Sequence, residues 1–246
     1  MRRVGGCSVT EPALHVAIAT KSYPGQRKSY RTVLRDVCFI LQPGERVAVV
    51  GPSGCGKTTL MRIVAGLDRR FEGRVSLPPE AGRLAMVFQE PALLPWRTVE
   101  DNIALVHPAL DARALERLYD ALGLAGHRQQ FPGQLSLGLA RRVALLRAFA
   151  VKPGLLLLDE PFVSLDEAMA ARLRSELASI LAADAVTTLL VTHDLEEAVT
   201  LCNRVLLLSG QPATLAEDVL LDRSTMNDEE LRHDLSRRIA KHDHAR

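Results

Sequence analysis

Nine consecutive residues, Gly51-Pro52-Ser53-Gly54-Cys55-Gly56-Lys57-Thr58-Thr59, have types and spacing suited to one kind of chemistry. They fit the pattern G-x-x-x-x-G-K-[ST], a loop that holds phosphate. Its glycines let the backbone wrap close to phosphate oxygens, and successive N–H groups meet the anion at a helix N-terminus. Lys57 would reach the terminal phosphates, and the Thr58 hydroxyl would ligate magnesium. A glycine-rich turn with a surface lysine is the plainer alternative, but the flanking sequence argues against it. Val47 to Val50 read as a buried strand, and Leu60, Ile63, Val64 and Leu67 recur at helical spacing. The loop points to a nucleoside triphosphate site.

Two further groups belong to the same chemistry. Leu155-Leu156-Leu157-Leu158-Asp159-Glu160 reads as a buried strand ending in two carboxylates. Open α/β sheets bind ligands at the carboxyl ends of their strands. Asp159 can hold magnesium through its water shell opposite Thr58, and Glu160 is then placed as general base toward a water. Acidic pairs also begin solvated helices, but this pair follows four leucines. Thr192-His193-Asp194 follows the apolar run Thr188 to Val191, so His193 could bond the terminal phosphate or the attacking water. The histidines at 15, 107, 127, 233, 242 and 244 have no such context and read as surface residues.

The elements that must position these groups follow from periodicity. Strand-like runs lie at Arg46–Val50, Leu84–Phe88, Leu155–Leu158, Thr188–Thr192 and Val205–Leu208, mostly separated by helical patterns. That alternation predicts an α/β fold with a mainly parallel sheet. Residues from about 90 to 150 break the rhythm, with Ala112–Leu122 and Ala140–Ala150 as clear helices, and read as an inserted helical subdomain. A tail helix at about 226–242 carries Leu231, Leu235 and Ile239 on one stripe, which suits docking on its own domain or on a partner.

Composition sets outer limits. The chain has 246 residues, 47% of them hydrophobic, which is enough for one large core. No uncharged apolar stretch approaches the roughly 18 residues a membrane span needs, and from Met1 to Thr20 the residues predict no secretion signal. A net charge of +2 with scattered basic residues, and only 4% aromatics, predict no nucleic-acid partner. Cys7, Cys38, Cys55 and Cys202 lack metal-ligand spacing and read as structural thiols, Cys55 being the small side chain inside the loop.

The order of these motifs is similar to that of ABC-type ATPase subunits, the nucleotide-binding halves of membrane transporters, over about residues 14 to 210. The phosphate loop at 51–59 comes first, then Gln89 after its strand, and a signature-like segment at Leu135–Leu139. The acidic strand end 159–160, Ser164-Leu165-Asp166 and His193 follow. The resemblance implies a P-loop NTPase sheet that takes ATP and Mg2+ and works as a head-to-tail homodimer beside an integral membrane permease. The segment Phe88-Gln89-Glu90-Pro91-Ala92-Leu93-Leu94-Pro95-Trp96 resembles importers of nitrate, sulfonates and taurine. It further implies a solute-binding protein in the system and a seat on the cytoplasmic side of a bacterial inner membrane.

The same resemblance implies several residue roles. Tyr23, with Tyr30 as rival, would stack on adenine, unless it packs locally. Gln89 would touch magnesium and sense the γ-phosphate, Pro91 to Arg97 would face the permease unless they are buried inside the helical subdomain, and Asp166 would cross to the second subunit. Ser136 and Gly138 would reach the nucleotide of the partner copy. The chain departs from the family at Leu137, where the signature has glycine, and at Leu139, where it has glutamine. A Cβ at 137 is costly only if the backbone there needs positive φ. A working ATPase is expected, the alternatives being a low-turnover ATP-gated switch or a non-transport ATPase of the family. Between Gly73 and Leu84, Pro78 and Pro79 suggest that the antiparallel strands are trimmed.

Overall fold

Strands buried on both faces read as unbroken apolar runs, and these runs form the centre of the molecule. The computed structural model describes residues 11–25, 29–78, 82–106, 111–163 and 165–243. Cys7, Pro79, His107, Ser164 and His244 lie outside the described residues. Two long strands, β1 (Leu14–Pro24) and β2 (Tyr30–Leu41), precede β3 (Arg46–Val50), and the glycine-rich loop then leads into α1 (Lys57–Val64). Next come β4 (Glu72–Ser76), β5 (Arg83–Val87), α2 (Val99–Ala104), α3 (Ala112–Ala121) and α4 (Leu137–Ala150). β6 (Pro153–Asp159), α5 (Glu167–Ala183), β7 (Thr187–Thr192), α6 (Leu195–Leu201) and β8 (Arg204–Ser209) alternate, followed by β9 (Thr214–Leu220) and α7 (Asp228–Asp243).

All five apolar runs expected from the sequence become neighbours in one six-stranded sheet, ordered β5-β6-β7-β3-β8-β9. The first five are parallel, and β9 closes the edge antiparallel to β8. Side chains alternate between faces. Leu156, Leu158, Leu190 and Val205 enter one core with helices α4 to α7. Leu155, Leu157, Leu189 and Leu206 enter a second core with α1 and with β1 and β2. Because the strands are parallel, the carboxyl ends of β3, β5, β6 and β7 lie at one edge, where all the candidate site groups follow.

The second sheet, ordered β2-β1-β4, is antiparallel and covers the side of the phosphate loop. Among the described residues this sheet takes one short strand, β4, from the region where trimming was expected. Between 99 and 150 the described residues form α2, α3 and α4, and their apolar side chains, among them Ile103, Tyr119 and Leu146, join the core beneath the main sheet. α7 docks on its own domain, with Leu231 and Leu235 buried in that core.

Two of the histidines read as surface residues are instead half-buried and paired. His242 stands 2.7 Å from the Glu217 carboxylate, and His127 shares a hydrogen bond with Gln130. Their partners come together only in the folded chain, or within one tight turn, so spacing gave no sign of them.

Candidate active site

The phosphate-loop sequence leaves β3 at Val50 and turns into α1 at Lys57. A Cβ on Gly51 would run into the Leu208 carbonyl oxygen, and one on Gly56 into Val33 and Leu34. Gly56 also has φ +121, a conformation that favours glycine. Gly54 has φ +74 and faces open space. Cys55 is buried against the second core, the small, apolar fit that the position needs. Pro52, Ser53 and Thr59 complete the turn, and Ser53, Gly54, Gly56, Lys57, Thr58 and Thr59 line a cleft of about 420 Å³.

Lys57 is buried, and its ammonium donates to the carbonyls of Gly51 at 2.8 Å and Pro52 at 3.1 Å, which holds the charge at the loop's mouth. The Thr58 hydroxyl donates to Asp159 Oδ1 at 3.3 Å. Burial raises the Asp159 pKa, opposed by that hydrogen bond and raised again by the charge of Glu160. A hydroxyl and a carboxylate facing each other are hard oxygen donors, and Gln89 opens onto the same cleft. This donor set fits a magnesium ion.

Glu160 also lines the cleft. Its backbone is left-handed, with φ +46, a conformation that costs a non-glycine residue of order 1 kcal/mol. The N–H of Glu160 donates to the Val191 carbonyl at 2.9 Å, fixing one side of the strained residue. Its carboxylate lies 3.5 Å from His193 Nδ1. β7 lies between β6 and β3 in the sheet, which brings His193 between the acidic strand end and the phosphate loop.

Ser136, Gly138 and Asp166 are not part of this cleft. Ser136 caps α4, its hydroxyl accepting from the Leu139 N–H at 3.3 Å. Gly138 is buried, and a Cβ there would run into the Met169 sulfur. Asp166 caps α5 by accepting from the Met169 N–H at 3.0 Å, so the starts of α4 and α5 adjoin. Leu137 is the first residue of α4 and is 45% exposed, without positive φ, so its Cβ brings no backbone strain.

Tyr23 has its hydroxyl and one ring face engaged. Its hydroxyl donates to Asp68 at 3.0 Å, and the Lys21 ammonium sits 4.4 Å from its ring centroid while pairing with Asp68. Tyr30 is 75% exposed. The residues from this sheet that line the cleft are Arg31, opposite Tyr23 in the β1–β2 register, and Val33. A larger groove of about 580 Å³ opens between α3 and α5 near the start of β6, at the other end of the sheet from these groups.

Comparison with known proteins settles the lineage. A family model described as ABC transporter matches residues 34–163. The chain belongs to the ABC transporter family. It is 42% identical over 221 residues to the aliphatic sulfonates import ATP-binding protein SsuB 2 of Burkholderia cenocepacia, covering 87% of this chain and 80% of that one. It is 47% identical over 193 residues to SsuB 1 of Rhodococcus jostii, covering 77% and 78%. Among solved structures it resembles the dimeric post-hydrolysis state of the ATP-binding cassette MJ0796 bound to ADP and Pi. That match has a TM-score of 0.72 and 25% identity, covering 85% of this chain and 98% of that one.

Sequence reasoning missed several residues of this ABC ATPase. Arg31 brings a cation to the cleft from β2, a strand the apolar runs did not reveal. Arg141 and Glu197 are buried behind Glu160 and His193. The signal available for both was charge within a largely apolar helix, in α4 beside Arg142 and Arg147 and in α6 beside Glu196. Asn102, fully buried, holds the loop after Gln89 by accepting from the Leu94 N–H and donating to three carbonyls.

Proposed function

We propose that this chain is the energising subunit of an importer for a small anion of the aliphatic sulfonate class, binding Mg-ATP and hydrolysing it as a pair of copies. The observation that carries the reading is the cleft at the strand ends, where Lys57, Thr58, Gln89, Asp159 and Glu160 meet with His193 beside them. The relatives named for sulfonate import support the solute class.

Magnesium, held by Thr58, Gln89 and Asp159, would neutralise charge on the phosphate oxygens. Lys57 and the loop N–H groups stabilise charge on the terminal phosphate. Glu160 takes a proton from water as that water's oxygen bonds to the γ-phosphorus and the bond to ADP breaks. His193 holds Glu160 or the water in line. Adenine stacks on the face of Tyr23 opposite Lys21, a contact worth about 1–3 kcal/mol by analogy with base–aromatic pairs. Ser136, Gly138 and Asp166 meet the second copy, Ser136 and Gly138 at its nucleotide. The helical conformation of Leu137 gives the altered signature no backbone reason to work slowly.

Trp96, 70% exposed on the loop after Gln89, faces the permease together with Leu105 and Val106. No helix among the described residues is long and apolar enough to cross a membrane. In this reading a separate permease forms the channel, with this subunit on the cytoplasmic side of a bacterial inner membrane and a solute-binding protein opposite, as the relatives named as import ATP-binding proteins support. The test is Glu160→Gln. ATP binding and ATP-dependent pairing persist while phosphate release falls by about a hundredfold or more, the scale of a lost acid–base group. Near-normal phosphate release would falsify Glu160 as the base.

A further inference from the structure

The helix that begins at the signature also grips the base. Arg141, one turn into α4, is buried at 5% exposure. Its guanidinium donates to the carbonyl oxygens of Glu160 at 3.3 Å and Pro161 at 2.5 Å. Burial works against its charge, and the charge of Glu197 works for it. Its Nε has no partner among the described residues. A cation placed this deep to bond two backbone oxygens is expensive, and the carbonyls it serves are those of a residue in a strained conformation and of the residue after it. Glu160 is thus pinned on both sides of its Cα, by β7 through its N–H and by Arg141 through its carbonyl.

We infer that Arg141 is a positioning residue, which sets the geometry of Glu160 according to where the signature helix sits. The inference rests on Glu160 acting as base. Its consequence is specific to a paired enzyme. The first turn of α4, at Ser136 and Gly138, meets the nucleotide of the other copy, whereas Glu160 serves the nucleotide of its own. A small shift of α4 on engagement therefore reaches the base through one side chain, so each site reports its occupancy to the other. Misplacing a reacting group by about 1 Å costs of order a hundredfold in rate, so such a shift is large enough to act as a switch.

The experiment compares Arg141→Met and Arg141→Lys with the unmodified chain, each also in the Glu160→Gln background. Arg141→Met should lower kcat by about ten- to a hundredfold with the KM for ATP within about twofold, and bring the Hill coefficient for ATP toward one. Arg141→Lys should restore part of kcat, because its ammonium keeps the charge and N–H donors while losing the planar guanidinium fork. In the Glu160→Gln background neither substitution should lower the residual rate further, since the group they act through is gone. A loss equal in both backgrounds, or a full rate with Arg141→Met, overturns the inference. If Arg141→Met does not fold, the Lys variant decides by the same two readouts. Failure of the Glu160 assignment is separately visible as normal turnover by Glu160→Gln alone.

Discussion

Glu197 is a carboxyl where the fold accommodates a charge poorly. It lies on α6 at 5% exposure, accepts a hydrogen bond from the Thr192 hydroxyl at 2.5 Å, and so fixes the turn that presents His193. The same hydroxyl accepts from the Asp194 N–H at 2.9 Å. Burial raises the Glu197 pKa from 4.5 to about 7, with the Thr192 bond opposing and the charge of Asp194 adding to it. The sign follows by linkage. Below about pH 4.5 the carboxyl is neutral in folded and unfolded chains alike, and no stability is lost. As the pH rises toward 7 the unfolded chain ionises while the folded one keeps its proton, and stability falls, by about 3 kcal/mol in all above that range. Glu197→Gln keeps the shape and a hydrogen bond without the ionisation. Its melting temperature should exceed that of the unmodified chain at about pH 8 and match it near pH 4.5. A difference that does not change with pH would show that Glu197 carries no such burden.

At the scale of elements, the arginines of α4 and the amide on α2 do the joining. Arg147 donates to the carbonyls of Pro91 and Ala92, and Ala92 is left-handed like Glu160, with φ +48. One helix therefore holds strained residues in the segments that follow two neighbouring strands, β5 and β6. The far part of the loop depends on Asn102, whose amide satisfies backbone groups of Leu94, Arg97 and Thr98. Asn102→Ala leaves these groups unpaired and should cost about 2–4 kcal/mol, read from the urea midpoint. An unchanged midpoint would mean that water replaces the amide without loss. None of this joining was legible in the sequence, because it depends on which carbonyls a helix meets after folding. The parallel strands were legible because burial on both faces leaves an unbroken apolar signal, as in Leu155 to Leu158. β1 and β2 were not. Lys21 is buried in β1 by its pairing with Asp68, and Asp36 turns left-handed at φ +50 within β2, so neither strand keeps a clean alternation. The phosphate loop, Asp159, Glu160 and His193 were readable from their place after strands, whereas Arg31 lay hidden in a strand that was not.

At the scale of the molecule, the decisive question is whether the groups at the start of α4 serve a second copy. Ser136 is exposed at the α4 N-terminus and lies outside the cleft that Lys57 lines, so within one copy the two serve different surfaces. If a site combines Lys57 of one copy with Ser136 of the other, a paired molecule contains two such combinations related by a twofold axis. Lys57→Ala disables both sites when both copies carry it, and so does Ser136→Arg, which places bulk and charge where the partner's phosphate must fit. A mixed pair is different. One combination inherits both lesions and the other inherits neither, so one intact site is regenerated from two inactive proteins. Random mixing of equal amounts should then recover about a quarter of the full number of sites, since half of the pairs are mixed and each has one good site of two. Phosphate released in a single turnover counts these sites without requiring the two to cycle together. Sites confined to single copies would give no recovery at any mixing ratio, because every copy present carries a lesion of its own.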